Sequence, residues 1–193
     1  SVCSASASFL PTVCPQYQPC NPNGITLGDS VTIQLCIENT SEEPGAGMPP
    51  YPRVEATLRT TALIEIYLMC RESVCASSQL SDPPLLTYNS FTPAPNVAAS
   101  FSLGATSTCA DALACGRVTL ASDLVLPAGG TVCLGTVDAT ASNVPVDSNH
   151  GLFFVRGKTQ NFDMVITDSR CIPDITGGAQ GSTVARFLIP PPP

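Results

Sequence analysis

Ten cysteines spread over 193 residues constrain the fold of this chain more than any other feature. Three pairs have only four or five residues between their members, a spacing typical of disulfides that close local loops in an oxidising compartment. We therefore predict three local and two long-range disulfides in a secreted protein. The alternative is that one or more of these disulfides joins two subunits. The local pairs are Cys14/Cys20, Cys70/Cys75 and Cys109/Cys115, and the remaining cysteines are Cys3, Cys36, Cys133 and Cys171.

Metal binding is the alternative use of many cysteines. Zinc sites are usually built from Cys-x-x-Cys pairs or from cysteine with histidine. No two cysteines here have two residues between them, and His150 is the only histidine. The segment from Asp147 to Gly151 is similar to the first half of a calcium-binding loop but lacks the bidentate glutamate, so a hydrogen-bonded turn is expected. We therefore predict no metal and no cofactor.

The stretch GDSVTIQLCIENTS, from Gly28 to Ser41, alternates apolar and polar residues as a half-buried strand does. In this pattern Cys36 falls on the outer face, and we expect its disulfide to reach a covering segment, such as the N-terminal Cys-Pro region, or a neighbouring molecule. Asn39 begins an Asn-Thr-Ser acceptor sequence for an N-linked glycan, which an exported protein can carry. The inner, core-forming residues of this strand are predicted to be Val31, Ile33, Leu35 and Ile37.

Turn-rich segments divide the chain into short apolar runs and leave no convincing helix, because 19 prolines and 14 glycines interrupt it. We predict an all-β antiparallel sandwich of about nine strands that is stapled by disulfides. Its parts are an N-terminal Cys/Pro-rich strand and covering segment (1–24), the sandwich domain (25–189) and a polyproline tail (190–193). The expected strands cover 25–38, 53–70 with a break near Thr60-Thr61, 84–88, 97–103, 116–125, 131–141, 151–156, 161–167 and 183–189, and the run from Ala62 to Cys70 is expected to be buried on both faces.

Two stretches of the sequence carry a resemblance to a known family. LGDSVTIQLCIENTS begins at Leu27, and LPAGGTVCLGTVDAT begins about a hundred residues later at Leu126. Together they resemble the immunoglobulin-like repeat domains of bacterial and archaeal surface proteins. In those domains the strands commonly read G-D-x-V-x-Y-x-I-x-V-x-N-x-G and L-x-P-G-G-x-x-x-L-x-x-x-V. The resemblance implies an extracellular sandwich that acts as a spacer, stalk or subunit of a surface structure. The predicted sandwich is accordingly immunoglobulin-like, with a jelly-roll-like arrangement as the alternative.

The charge and hydropathy of the chain exclude several partners. The net charge is −7, Lys158 is the only lysine and the seven arginines are scattered, so no basic stripe is present for nucleic acid. No apolar run reaches the ~18 residues that span a bilayer, so no membrane span is expected. The start of the chain, SVCSASASFL, lacks the basic region and long apolar run of a signal peptide, and we therefore expect a processed form of an exported protein.

The sequence also lacks an identifiable catalytic set. His150 is the only candidate imidazole base, and no G-x-S-x-G elbow supplies a nucleophile for it. The sequence DITG at Asp174 departs from the Asp-Thr-Gly loop of aspartic proteases and has no second copy. We predict that the protein is not an enzyme and has no catalytic residues.

These features favour a structural function at the cell surface. We expect an extracellular subunit that polymerises with its own copies into a pilus-like filament or surface layer. The subunit is expected to contain disulfides and to carry attached glycans. A terminal strand, Ala7 to Leu10 or Thr183 to Ile189, would be exchanged with a neighbour or paired at a sheet edge. The first alternative is a monomeric adhesion or binding domain that uses loops such as Asp82–Pro95 or Asn143–Gly151. The second is a secreted hydrolase that uses His150.

Overall fold

The computed structural model describes residues 2–45, 47–70, 84–106, 109, 112–143, 152–159, 163–172, 176–178 and 181–190. Within these ranges the chain forms thirteen strands and no helix. The strands are β1 (Ala7–Val13), β2 (Ser30–Asn39), β3 (Ala56–Leu58), β4 (Ile64–Cys70), β5 (Leu86–Pro93), β6 (Ala99–Leu103), β7 (Cys115–Leu120), β8 (Leu124–Leu126), β9 (Thr131–Ala141), β10 (Leu152–Thr159), β11 (Asp163–Ile166), β12 (Thr176–Gly178) and β13 (Ser182–Leu188).

The strands form an antiparallel sandwich around one main core. The first sheet has the order β1-β2-β9-β5 and the second has the order β13-β10-β4-β7-β6. A third sheet has the order β12-β11-β3-β8. Each of its strands is next in the chain to one strand of the second sheet, in the pairs β12/β13, β11/β10, β3/β4 and β8/β7. The third sheet therefore continues the second sheet beyond a row of breaks. The predicted all-β antiparallel fold is confirmed.

About nine strands were expected, and the row of breaks accounts for two of the additional ones; the others are β1 and β12. The predicted run 53–70 is interrupted between Leu58 and Ile64, which confirms the expected break near Thr60-Thr61. Polar groups hold neighbouring breaks together, because the Thr60 N–H donates to Asp123 Oδ1 at 3.1 Å and the Thr61 hydroxyl donates to the Asp163 carboxylate. The run 116–125 is likewise divided between β7 and β8.

The N-terminal segment is part of the sandwich, in contrast to the predicted boundary between residues 24 and 25. β1 pairs antiparallel with β2 along its whole length, from Ala7 opposite Asn39 to Val13 opposite Ile33. The side chain of Phe9 is 1% exposed and belongs to the main core. A strand at Ala7 to Leu10 was predicted, but the dense cysteines and prolines of residues 1–24 led to its placement outside the sandwich domain.

The strand β4 is buried on both faces, as predicted from its continuous apolar sequence. Ile66 faces the main core, whereas Tyr67 lies in a second apolar cluster with cysteine and alanine side chains. Glu65 is fully buried, and its Oε1 lies 3.8 Å from the guanidinium NH2 of Arg117 on β7. A buried carboxylate requires such a cationic neighbour because burial without one is costly.

Candidate functional site

Both ends of the chain contribute edge strands on the same side of the sandwich. β1 is the outer strand of the first sheet, and β13 is the outer strand of the second. β1 packs against β13 and also against β10. We call the side formed by β1, β10 and β13 the terminal seam. It includes both of the terminal strands that the sequence suggested for exchange.

Two glycines shape the terminal seam around β1. A Cβ atom added to Gly157 on β10 would overlap the ring of Phe9, and one added to Gly181 would overlap the carbonyl group of Ala7. The neighbouring aromatic pair, Phe153 and Phe187, has ring centroids 6.1 Å apart. β1 therefore fits a closely matched surface, in which the missing glycine side chains leave room for its backbone and its largest side chain.

The pairing of the N-terminal segment continues beyond β1 towards the start of the chain. Ser4 and Glu42 exchange two backbone hydrogen bonds, of 2.9 and 3.1 Å. The Ser6 N–H donates to Ser41 Oγ at 3.0 Å, and the Ser41 hydroxyl donates to the Ser6 carbonyl at 3.1 Å. Residues 4 to 13 thus form one paired segment along the edge of the first sheet.

Four disulfides have both cysteines among the described residues. Two of them are local and two are long-range, in agreement with the predicted division. Cys70 is also disulfide-bonded, whereas Cys75, its predicted partner, lies outside the described residues. The four are Cys14–Cys20, Cys109–Cys115, Cys36–Cys133 and Cys3–Cys171.

The disulfide of Cys36 does not reach a covering segment or a neighbouring molecule, as the sequence had suggested. Cys36 and Cys133 are opposite residues on the adjacent strands β2 and β9, with their Cα atoms 3.8 Å apart. A register irregularity between Leu35 and Cys36 accompanies the bridge. The alternation of β2 correctly separated inner from outer residues but contained no information about which strand lies beside it.

Asn39 is incompatible with the predicted glycan because the folded chain uses its side chain internally. The residue is fully buried, and its Nδ2 donates to the carbonyl oxygens of Val54 at 2.9 Å and Leu126 at 3.0 Å. A third carbonyl, that of Pro127, lies at 3.2 Å, and the Ser41 N–H donates to Asn39 Oδ1 at 3.0 Å. A sugar on Nδ2 would have no space and would displace these bonds, so the prediction of a glycan at Asn39 is wrong for this fold.

An ion pair fixes the segment that contains Cys171. Arg170 contacts both carboxylate oxygens of Asp168, at 2.9 and 2.8 Å, and also donates to the Arg53 carbonyl at 2.7 Å. The N–H groups of Glu55 and Arg170 donate to the same carboxylate. These hydrogen bonds hold the pKa of Asp168 well below its usual value, and those from the Arg170 side chain have the largest effect.

Several predicted positions lie outside the described residues. They include His150 and the rest of the calcium-like segment 147–151, Asp174, and the last three prolines. Part of the proposed binding loop from Asp82 to Pro95 is instead the strand β5. Among the described residues, no group of three or more His, Cys, Asp or Glu side chains could hold a metal ion. No helix in the described part of the chain is long and apolar enough to span a membrane.

Comparisons with known proteins found only distant structural similarities. No family model and no curated protein matches the chain. Among solved structures, AvmM, which catalyses macrocyclization in alchivemycin A biosynthesis, is 13% identical with a TM-score of 0.39, over 98% of this chain and 90% of AvmM. The sixth cohesin of Acetivibrio cellulolyticus scaffoldin B is 9% identical with a TM-score of 0.33, over 94% and 97% of the two chains. The Pseudomonas fluorescens DNA glycosylase AlkC is 10% identical with a TM-score of 0.31, over 97% of this chain and 31% of AlkC.

The molecule is therefore defined as a disulfide-stapled, antiparallel β-sandwich with both terminal strands at sheet edges. The disulfides fit a secreted or extracellular protein, since such bonds persist in oxidising environments. The all-β architecture is compatible with an immunoglobulin-like sandwich. The similarities to solved structures are too low to assign an activity to this chain.

Proposed function

We propose that this chain is a structural subunit of an extracellular, self-assembling filament or surface layer. The observation that carries the proposal is the placement of the two terminal strands. Among the described strands, β1 and β13 are edge strands, and each pairs with a single neighbouring strand. A terminal edge strand can move to a second copy without threading through its own fold, and it then forms the same main-chain hydrogen bonds there.

The other side of the sandwich offers a second way to join copies. β5 and β6 are the remaining edges of the first and second sheets. Ser90 and Thr92 on β5 are exposed, and β9 is the only described strand with which β5 pairs. An unpaired sheet edge presents N–H and C=O groups that another strand can bind. Assembly therefore proceeds by exchange at the terminal seam or by pairing at the β5 edge.

The remaining features support a location at the cell surface and not an enzymatic role. The low fraction of charged residues, 12%, and the disulfides suit a durable extracellular protein. The resemblance of the segments from Leu27 and Leu126 to surface-protein repeat domains points the same way. The sequence supplies no nucleophile and base at motif spacing.

The test is the size and shape of the oxidised full-length protein. Light scattering and electron microscopy should reveal polymers many times larger than the 20.0 kDa chain. Particles of single-chain mass at every concentration and salt condition would overturn the proposal and favour the monomeric binding domain. Polymers of constant width seen by microscopy would separate ordered assembly from aggregation.

A matched pair of variants then identifies the joining element. Phe9→Leu removes part of the buried ring at the terminal seam, whereas Thr12→Ala alters an exposed residue of the same strand. If β1 is exchanged, polymers of the Phe9→Leu variant dissociate at lower denaturant concentration than those of wild type and Thr12→Ala. If the β5 edge joins the copies, the three proteins form polymers that dissociate alike.

A further inference from the structure

We propose that the N-terminal arm, residues 2–20, binds in trans to a second copy of the chain, and that the disulfide Cys3–Cys171 then joins the two copies covalently. This inference rests on the proposed function and specifies its joining element. We use the term body for the remainder of the described chain from residue 25 onwards. The partner is a second copy because the surface that receives the arm is built from this chain's own sequence.

The disulfides divide the chain into an arm and a body. Cys14–Cys20 closes a loop within the arm, and its intervening residues 15–19 are all exposed. Cys36–Cys133 and Cys109–Cys115 lie within the body. Of the four disulfides whose two cysteines are described, only Cys3–Cys171 connects the arm with the body. Transfer of the arm therefore changes the connectivity of this one bond and leaves the other three within a single chain.

The arm recognises the body through contacts that do not depend on chain continuity. β1 forms seven register pairs with β2, and Phe9 occupies the space above Gly157. Ser4 extends the pairing to Glu42, close to the point where Cys3 meets Cys171. A second copy presents the same surface, so its bound arm would have its Cys3 beside the Cys171 of the receiving body.

The hinge is the turn from Asn21 to Gly24, in which only Pro22 is half-buried and accepts a hydrogen bond from the Leu188 N–H at 2.8 Å. The turn is closed by a 3.1 Å hydrogen bond from the Gly24 N–H to the Asn21 carbonyl, and a Cβ at Gly24 would contact no atom within 4 Å. After the turn, Ile25 is fully buried and donates its N–H to the Leu188 carbonyl at 3.0 Å, which anchors the start of the body. Opening the turn releases four residues that span at most about 14 Å when extended.

The short hinge determines the kind of assembly. A span of about 14 Å requires that donor and acceptor bodies touch, as neighbouring subunits of a filament do. Head-to-tail transfer uses the Cys3 of one copy and the Cys171 of the next, so a covalent chain runs along the polymer. When each bond forms, the two thiols together lose two protons and two electrons. A disulfide-bearing oxidant of the exporting compartment accepts them and is reduced to two thiols, as it is when the same bond forms within one chain.

Isotope mixing tests the proposal directly. ¹⁵N-labelled and unlabelled full-length chains are reduced, unfolded, mixed in equal amounts, and then reoxidised and assembled. Mass spectrometry of the disulfide-linked peptides should find about half of the Cys3–Cys171 pairs with one labelled and one unlabelled member, as random exchange between copies requires. The Cys36–Cys133 pairs serve as the internal control and should carry a single isotope.

The outcomes separate this inference from the function on which it rests. Polymers whose Cys3–Cys171 pairs all carry one isotope would overturn the inference and leave the proposed function intact. Failure to form polymers would overturn both. Mixed pairs in Cys36–Cys133 as well would indicate random oxidation and would also count against the inference.

Paired cysteine variants provide a second readout. In SDS without reductant, wild-type polymers should run as a ladder of covalent multimers. The double variant Cys3→Ser/Cys171→Ser should assemble but run as single chains, whereas Cys109→Ser/Cys115→Ser, which removes a bridge within the body, should keep the ladder. A ladder that persists in the first variant would show that another bond links the copies and would overturn the assignment of Cys3–Cys171.

Discussion

A buried side-chain amide needs a hydrogen-bond acceptor for each of its N–H groups, because an unpaired buried donor is costly. Asn39 meets this requirement with carbonyl oxygens from two other segments of the chain. Val54 precedes β3, Leu126 ends β8 and Pro127 follows it, so one side chain ties the end of β2 to the continuation of the second sheet. Asn39 therefore stabilises the end of the sandwich at which β1 begins its pairing.

Replacement of Asn39 by aspartate tests this structural role with almost no change of shape. The variant places a carboxylate against three carbonyl oxygens that had received N–H groups, and we expect a loss of about 3 kcal/mol in the free energy of unfolding. Urea unfolding at neutral pH measures it. The matched control is Asn89→Asp on the exposed face of β5, which should cost less than about 0.5 kcal/mol. Equal losses in both variants would refute the internal role of Asn39.

Asp168 gives the fold a defined dependence on pH. Hydrogen bonds from Arg170 hold its pKa below the unfolded value, so the ionised form stabilises the folded state. This stabilisation is complete above the ordinary aspartate pKa of about 4 and is lost as the pH falls towards the folded value. Thermal unfolding should show a lower Tm for Asp168→Asn than for wild type at pH 7, with a difference that shrinks below about pH 4.

Arg170→Gln provides the complementary measurement, because it removes the main cause of the lowered pKa of Asp168. Its Tm difference from wild type should shrink over the same acid range. A difference that stays constant from about pH 7 to about pH 3 would contradict the assignment.

Local sequence determined only part of what these residues do. The alternation from Val31 to Ile37 correctly identified the buried face of β2, because the period of a strand is a local property. The Asn-Thr-Ser sequence at Asn39 was misleading, since the carbonyl groups that bury its amide lie 15 and 87 residues away. Tertiary partners at such separations are absent from any local motif.

The fit of β1 to β10 depends on a glycine where a side chain would collide. We expect Gly157→Ala to lower the free energy of unfolding by about 2 kcal/mol, because the added methyl group would overlap the Phe9 ring. Gly45→Ala is the matched control, since nothing lies within 4 Å of its added Cβ. Denaturant unfolding of both variants measures the difference.

A double variant confirms that the cost arises at this contact. Combining Gly157→Ala with Phe9→Leu should cost less than the sum of the two single changes, because the smaller side chain makes room for the methyl group. Strict additivity would mean that Gly157 is required for a reason other than the Phe9 ring.

At the scale of strands, sequence patterns located most of the sandwich, including Ala7 to Leu10 of β1, but missed β12. Long alternating runs such as β2 and β9 have enough residues to reveal their period. β12 has three residues, and β1 lies among cysteines and prolines that are typical of loops. The position of β1 is fixed by β2, Gly157 and Gly181. The sequence of the N-terminal segment alone does not indicate that these distant residues contact it.

At the scale of the whole molecule, two edges of the described sandwich, the terminal seam and the β5 edge, favour different assemblies. The terminal seam is closely packed and is closed by Cys3–Cys171, whereas β5 at the opposite side has exposed polar side chains. Exchange at the seam replaces contacts that already exist within one chain. Pairing at β5 would create new ones. The two mechanisms therefore respond differently to a charge placed on β5.

Lysines on β5 distinguish these mechanisms. Ser90→Lys/Thr92→Lys places two positive charges beside the open edge, and such charges oppose strand addition. If copies join by arm exchange, we expect polymers of wild-type length and yield in electron micrographs and light scattering. Thr119→Lys/Thr131→Lys, at exposed positions on the internal strands β7 and β9, adds the same two charges away from the open edge. Polymers that disappear in the β5 variant and persist in this control would show that edge pairing carries the assembly, because arm exchange leaves β5 free.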